Sequence, residues 1–260
     1  MVVYLSYKYE LGIIAAKVMK IEKFDNREWD AAGSLEVLVK DKQHNLSSGT
    51  YRALAKQILE GIKIVHNAKL IHRDIKAENI MLHSENGSLR VKIADFGLAK
   101  VIQSGQMGVT SYGTPLNMAP ELVTRDVPAT NKVDLYTVGT VLYQLATHEY
   151  PINVNSVPEL QRKFAAGPIK RPASIQNDMQ WDFLSKLLEF DPNKRFSAEQ
   201  ALKLPYFISP QATAEISQEA KLLTEKVVAA LSANQKQGTI YDSDQTFTVP
   251  TSEIKYESGS

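Results

Sequence analysis

The stretch IHRDIKAENI, residues 71–80, contains polar side chains whose types and spacing could do chemistry. Arg73, Asp74, Lys76 and Asn79 lie close together there, between an apolar helical pattern and an apolar run. Polar groups held between buried elements are costly unless they are paired or have a function. The stretch therefore predicts a reactive or ligand-binding loop.

Phosphoryl transfer from a nucleotide needs these residue types. Its transition state spreads negative charge over phosphate oxygens, so the protein must supply cations, metal ligands and an acceptor for the proton of the attacking hydroxyl. Asp74 could orient that hydroxyl and take its proton, and Lys76 could reach the transferring phosphate. Asn79 offers a carbonyl oxygen to Mg²⁺, and Asp95 offers a carboxylate at the end of a strand predicted at 89–93.

The same residues belong to motifs that resemble those of eukaryotic-type protein kinases. The catalytic-loop pattern H-R-D-x-K-x-x-N runs from His72 to Asn79. The further matches are Lys17 in IIAAKVM to the V-A-I-K strand, Asp95, Phe96 and Gly97 to D-F-G, Ala119, Pro120 and Glu121 to A-P-E, Asp134 to the aspartate that anchors the catalytic loop, and Arg195 to the arginine that pairs with the A-P-E glutamate. The resemblance covers residues 2–208.

The resemblance implies transfer of the γ-phosphate of ATP, with Mg²⁺, to serine or threonine hydroxyls of protein substrates. Lys76 and the approach at 113–115 to the A-P-E motif are of the serine/threonine type. The implied roles are catalytic for Asp74, Lys76 and Arg73, cofactor-binding for Lys17, Ala15, Glu28 and Met81, metal-binding for Asn79 and Asp95, regulatory for Thr110 and Ser111, and structural for His72, Phe96, Gly97, Glu121, Asp134 and Arg195.

Purely structural interpretations of several of these residues stay open. His72 could be a packed core histidine, and Lys17 could be a lysine at a strand end. Glu28 could be a solvated helix residue instead of the partner of Lys17. Thr110 and Ser111 are candidate phosphate acceptors, since Arg73 could pair with a phosphorylated residue, but they could also form an ordinary polar loop.

The small lobe departs from the family pattern. The family carries a Gly-rich loop before the strand predicted at 2–5, and two strands with an adenine-binding hinge after the helix of Glu28. Here the segment SLEVLVKDKQ follows Gly33 directly and resembles the first helix of the large lobe. We expect a reduced small lobe that is loose or leans on the large one, either as a property of the protein or through a gene-boundary error.

These departures keep alternative functions open. The first alternative is a kinase-like scaffold or truncated product that binds ATP weakly. Against it, Asp74 and Asp95 are both present, and non-catalytic relatives typically lose one of them. A small-molecule phosphotransferase is disfavoured by the segment 113–121, which resembles a platform for protein substrates.

The elements that must position these residues indicate an α+β fold with two lobes. The sequence predicts a protein kinase domain at 1–208, with an incomplete N-terminal β lobe at 1–33, a mainly helical C-terminal lobe at 34–208, and a tail at 209–260. The predicted elements are strands at 2–5 and 12–19 joined by a turn at 6–10, a short helix at 24–32, helices at 51–66, 133–146, 181–190 and 198–204, an Asn-Gly hairpin joining strands at 80–82 and 89–93, and a tail helix at 217–233 followed by disorder from 235.

Bulk properties exclude several other classes. With 260 residues the chain can bury a sizeable core, and a net charge of +1 does not favour nucleic acid or an anionic membrane as a partner. The chain contains no cysteine, which excludes disulfides and thiolate chemistry and fits a reducing compartment such as the cytoplasm. We expect no signal peptide and no obligate oligomer.

Overall fold

A computed structural model of the chain describes residues 2–8, 13–19, 31–101, 115–124, 129–233 and 240–254. The strands are β1 Val2–Lys8, β2 Ile13–Met19, β3 Ala31–Ser34, β4 Leu70–Ile71, β5 Ile80–Glu85, β6 Ser88–Ile93 and β7 Lys100–Val101. The helices are α1 Glu36–Lys40, α2 Ser48–Asn67, α3 Pro120–Thr124, α4 Lys132–Thr147, α5 Val157–Ala165, α6 Asp178–Leu187, α7 Ala198–Leu202, α8 Pro205–Ile208, α9 Pro210–Ala214, α10 Gln218–Ala233 and α11 Ile240–Ser243. Short 3₁₀ turns occupy Ala77–Asn79, Phe96–Leu98, Pro115–Asn117, Gln245–Phe247 and Thr251–Glu253.

The described strands form three small antiparallel sheets, and the rest of the described chain is mainly helical. The sheets pair β1 with β2, β3 with β5 and β6, and β4 with β7. Strand β1 extends over residues 6–8, where the sequence predicted a turn. This mixture of a small β-containing start and a helical body is the predicted α+β fold.

Helices α2 and α4 form the centre of the core. The Ser47 side chain accepts a hydrogen bond from the Thr50 backbone N–H and so caps α2. Apolar residues at helical spacing, such as Leu54, Ile58 and Ile62, are fully buried. Helix α4 is buried almost all round, as its apolar sequence predicted.

The hairpin of β5 and β6 presents two of the predicted site residues. Its turn consists of Asn86 and Gly87, both with positive φ (51° and 79°), which a tight hairpin turn requires. The register pairs Ile80 with Ile93. Asn79 therefore lies directly before the hairpin, and Asp95 follows it after one residue, Ala94.

The prediction of a helix at 24–32 is wrong at its C-terminal end. Residues 20–30 lie outside the described part of the chain, but Ala31–Ser34 forms strand β3 along β5. The pairing contains a bulge beside Gly33, whose φ of 113° is in the region that favours glycine. The backbone groups at the edge of β5 need partners, so a long-range pairing prevails over the local helical pattern.

The tail prediction is correct for the helix and wrong for the disorder that should follow it. Helix α10 occupies nearly the predicted range. Residues 240–254, however, pack against α2 and β6, and the side chains of Phe247, Val249 and Ile254 are buried in the described structure. The polar composition of the tail concealed these few spaced apolar residues. Residues 234–239 and 255–260 lie outside the described ranges.

At Gly49 the first turn of α2 lies very close to the backbone that follows α9. A Cβ at this position would lie 2.2 Å from the backbone oxygen of Glu215. We expect Gly49→Ala to lower the free energy of unfolding by about 1–3 kcal/mol, because the backbone must shift. The matched control is Gly61→Ala in the same helix, where the new methyl would meet only the end of the Ile93 side chain. Equal denaturation midpoints for the two variants would contradict this prediction.

Candidate functional site

The loop after β4 is held in place by Asp134 in the first turn of α4. The carboxylate of Asp134 is fully buried and accepts hydrogen bonds from the backbone N–H groups of His72 and Arg73, both at 2.9 Å. Its position near a helix N-terminus also favours its negative charge. Arg73 has a φ of 71°, so the anchor supports a backbone conformation that is rarely adopted.

His66 is a further hydrogen-bond partner of the same carboxylate, and no motif in the sequence predicts this contact. Its Nε2 donates to Oδ2 of Asp134 at 2.8 Å. The residue lies in the last turn of the long helix α2, where a histidine has no motif to mark it. The contact arises only because the C-terminal end of α2 lies beside the N-terminal end of α4.

His72 is a packed histidine that connects the loop to the end of strand β6. Its ring is fully buried, donates from Nε2 to the Ala94 carbonyl at 3.0 Å, and accepts at Nδ1 from the Asp74 N–H at 3.3 Å. The Phe96 ring packs edge-on against it, with centroids 4.5 Å apart. Burial lowers the pKa of His72, although the negative charges of Asp134, Asp74 and Asp95 act in the opposite direction.

Asp74, Lys76 and Asn79 form one hydrogen-bonded cluster. The Asn79 side-chain amide donates from Nδ2 to the backbone oxygen of Asp74 at 2.8 Å and to its Oδ2 at 3.0 Å. The Lys76 ammonium lies 3.3 Å from the same Oδ2. Asn79 is buried, whereas the Asp74 and Lys76 side chains are partly exposed. The cluster therefore presents a fixed carboxylate and a cation to solvent.

A backbone hydrogen bond at the preceding residue, Ala94, connects Asp95 to this cluster. The Ala94 N–H donates to the Asn79 carbonyl at 2.8 Å, so the residue before Asp95 is bonded to Asn79. Asp95 itself is exposed and left-handed (φ 61°), and its Oδ1 accepts from the Gly97 N–H at 3.1 Å. The Asp95 side chain thus caps the 3₁₀ turn at Phe96–Leu98.

Asn79 and Asp95 have the donor chemistry for Mg²⁺. Because Nδ2 of Asn79 is bonded to Asp74, the oxygen Oδ1 is the atom that could coordinate a cation. Mg²⁺ commonly takes one or two protein oxygen ligands, together with waters and substrate phosphates. Within the described ranges no cluster of three or more His, Asp or Glu could hold a metal, so the remaining ligands would come from the nucleotide and from water.

Glu121 and Arg195 form a buried ion pair below the site. Arg195 donates from Nη1 and Nη2 to the two carboxylate oxygens of Glu121, at 2.7 and 2.9 Å, and both side chains are fully buried. The guanidinium also donates to the backbone oxygens of Lys132, Glu189 and Phe190. The pair thereby connects α3 to α4 and to the loop after α6.

Of the predicted nucleotide-binding set, the structure describes the strand positions of Ala15, Lys17 and Met81. Ala15 and Lys17 lie on β2, in register with Ser6 and Tyr4 of β1. Met81 lies on β5 between Ser34 and Lys92. The predicted positions Glu28, Thr110 and Ser111 fall outside the described residues.

Comparison with known proteins matches most of the chain to one family. A family model described as "Protein kinase domain" matches residues 15–207. A probable serine/threonine-protein kinase of Dictyostelium discoideum is 34% identical over 164 residues, covering 63% of this chain and 19% of the relative. The serine/threonine-protein kinase H1 homolog of Danio rerio is 30% identical over 183 residues, covering 68% of this chain and 43% of the relative.

A plant relative shows the same pattern of partial coverage. The serine/threonine-protein kinase TIO of Arabidopsis thaliana is 35% identical over 187 residues, which is 71% of this chain and 14% of the relative. The chain thus spans less than half the length of each of these relatives. Among the helices that the structure describes, none combines the length and apolar character needed to cross a membrane.

Proposed function

Because the chain belongs to the protein kinase family, we propose that it transfers the γ-phosphate of ATP to serine and threonine hydroxyls of protein substrates, with Mg²⁺ as cofactor. The observation that carries this proposal is the cluster of Asp74, Lys76 and Asn79 beside Asp95. The family model spans all four residues, and the relatives' names support serine/threonine specificity.

Asp74 is the group that we assign to the substrate hydroxyl. Asn79 and Lys76 both contact Oδ2 of Asp74, so its position is fixed before substrate arrives. Oδ1 makes neither of these contacts, and we assign it the role of orienting the hydroxyl and accepting its proton. Such a positioned base removes the need to organise the carboxylate during the reaction.

Lys76, Asn79 and Asp95 are assigned to the phosphate and the metal. The Lys76 ammonium is partly exposed beside Asp74, which supports its assignment to the transferring phosphate. Asn79 and Asp95 would hold Mg²⁺, which when bound neutralises charge on the phosphate oxygens. For the nucleotide we propose Lys17 at the α- and β-phosphates, with Ala15, Met81 and Glu28 completing the site.

A second function is favoured by one feature of the sequence. Lys17 and the start of α1 at Glu36 are separated by a segment too short for two strands, a helix and a hinge. The alternative is therefore a kinase-like protein with a folded large lobe and weak ATP binding, acting as a scaffold. Catalysis itself distinguishes the two functions.

We expect Asp74→Asn to lower the rate of phosphate transfer by about 10²–10⁴-fold, because the variant keeps the shape but loses the base. The assay is transfer of labelled phosphate from Mg²⁺-ATP to a generic basic protein. Asp182→Asn, at an exposed carboxylate on α6, is the control and should leave the rate unchanged. Wild-type transfer no higher than that of Asp74→Asn would refute the kinase function for this chain.

A further inference from the structure

Strand β6 is completed on its outer side by the C-terminal segment 240–254. Among the strands that the structure describes, β6 lies at the edge of its sheet and pairs with β5. On the other side the Leu89 N–H donates to the Val249 carbonyl at 2.8 Å, and the Thr251 N–H donates to the Gly87 carbonyl at 2.9 Å. The Val249 N–H bonds the Ser88 hydroxyl at 3.2 Å. The tail thus supplies partners that an edge strand otherwise lacks.

Gln57 of α2 joins this strand and the tail through one buried amide. Its Oε1 accepts from the Val91 N–H at 2.7 Å. Its Nε2 donates to the Leu89 carbonyl at 3.1 Å and to the Phe247 carbonyl at 2.7 Å. Both amide hydrogens and the carbonyl oxygen are therefore used, and the edge of β6 is bonded alternately to Gln57 and to the tail.

Side chains of the tail fasten it to the same surface. The Lys56 ammonium lies 3.1 Å from Oδ2 of Asp244 and 4.1 Å from the ring centroid of Phe247. Arg90 on β6 pairs with Asp242 at 3.0 Å. Burial alone would raise the pKa of Asp244, but hydrogen bonds from Thr246 and the charge of Lys56 prevail and lower it. Helix α2, strand β6 and the tail are therefore connected by charges as well as by backbone bonds.

The far end of the same hairpin holds the two proposed metal ligands. Asn79 precedes β5, and Asp95 follows β6 by way of Ala94. The Ala94 N–H bonds the Asn79 carbonyl, so the separation of the two ligands depends on how β6 is held along its length. Besides the packing of its apolar side chains against α2, the outer edge of β6 is bonded to Gln57 of α2 and to the tail.

We propose that Gln57 and the C-terminal segment 240–254 are positioning elements of the metal site: by completing the edge of β6 they set Asp95 against Asn79. That this positioning serves a metal site rests on the proposed kinase function. The physical consequence, a hairpin whose far end loosens when the tail is released, does not require catalysis. The tail acts here as a strand added to a sheet edge from within the same chain.

The first experiment measures site-resolved hydrogen exchange in the full chain without nucleotide. Val249→Asp places a charge at a fully buried position and should release the tail. We expect the amides of Leu89, Val91 and Ala94 to exchange at least about tenfold faster, while the amides of α4 keep their protection. The Ala94 amide is the decisive reporter, since it bonds Asn79 and makes no contact with the tail.

Two further variants keep the test interpretable. Gln57→Leu leaves the sequence of the tail unchanged but removes the bonds of the amide to β6 and to the Phe247 carbonyl, and should also accelerate exchange at Ala94. Val157→Asp introduces the same charge at an exposed residue at the start of α5, so it is the matched control and should leave exchange as in wild type. A synthetic peptide of residues 240–254 added to Val249→Asp should restore protection. Unchanged exchange at Ala94 in both Val249→Asp and Gln57→Leu, or equal acceleration in α4, would overturn the proposal.

The second experiment measures phosphate transfer as a function of Mg²⁺ concentration. For Val249→Asp and Gln57→Leu we expect the half-saturating Mg²⁺ concentration to rise several-fold, with the KM for the protein substrate little changed. Effects on the substrate KM alone would contradict a role at the metal site. An inactive wild-type chain would refute the proposed kinase function, whereas the exchange experiment judges the positioning role independently.

Discussion

Replacing Arg195 by leucine should lower the free energy of unfolding by about 3–5 kcal/mol, because the Glu121 carboxylate would be left buried without its partner. Both side chains are fully inaccessible to solvent, so water cannot replace the lost contacts. The variant would also lose the guanidinium hydrogen bonds to the carbonyl groups of Lys132, Glu189 and Phe190. Denaturant unfolding, followed by circular dichroism, measures the loss.

The matched control for this pair is the double variant Arg195→Leu with Glu121→Met. It removes both charges together, so it should be more stable than Arg195→Leu alone even though it carries one more substitution. The exposed pair of Lys203 and Glu199 on the next helix serves as the surface comparison. Lys203→Ala should leave the denaturation midpoint close to that of the wild type, because a solvent-exposed ion pair contributes little to stability. Losses that simply add in the double variant would show that the two residues act independently.

Replacing Asp134 by asparagine should lower the free energy of unfolding by about 2–4 kcal/mol and reduce phosphate transfer. The fully buried carboxylate accepts hydrogen bonds from the His72 N–H, the Arg73 N–H and His66. Hydrogen bonds to a charged group contribute about 1.5–3 kcal/mol each, and an asparagine can replace only part of them. The NH₂ group of the asparagine would also point at one of the N–H groups that now donate to Asp134, so two donors would face each other.

The same substitution should also release the backbone of the loop at residues 72–79. Arg73 adopts a φ of 71°, a conformation that costs about 1–3 kcal/mol and persists only when its surroundings impose it. Hydrogen exchange should therefore accelerate at His72 and Arg73 beyond the global change in stability. His66→Gln removes one donor and leaves the backbone bonds in place, so it should have the smaller effect on both measurements. An Asp134→Asn variant as stable as His66→Gln would contradict the anchor role.

Elements encoded by neighbouring residues could be predicted from the sequence. Helix α2 has its cap at Ser47 and apolar residues at helical spacing, and both signals lie within the helix itself. The hairpin of β5 and β6 was predicted from Asn86 and Gly87, because few residue types accept the positive φ of such a turn. The chain order of the motifs likewise needed only spacing along the sequence.

Elements that depend on distant partners could not be predicted in this way. Strand β3 pairs with the β5 edge of the hairpin, and the docked tail bonds the β6 edge. No local sequence pattern predicts which edge is available. The contact between His66 and Asp134 joins residues far apart in the chain, and its strength comes from burial. Polar composition misled the tail prediction, since a few buried side chains such as Phe247 and Val249 suffice to dock it.

The amino-acid order alone determined which reactive groups the chain contains and the family to which it belongs, because residue type and spacing are written directly in the order of the residues. The tertiary structure alone showed that the Asn79 amide bonds Asp74 and that Ala94, the residue before Asp95, bonds Asn79. It also showed that Gln57 and the tail form hydrogen bonds along the outer edge of the hairpin. The reason is physical: hydrogen bonds between distant segments form only where packing brings them together and excludes water.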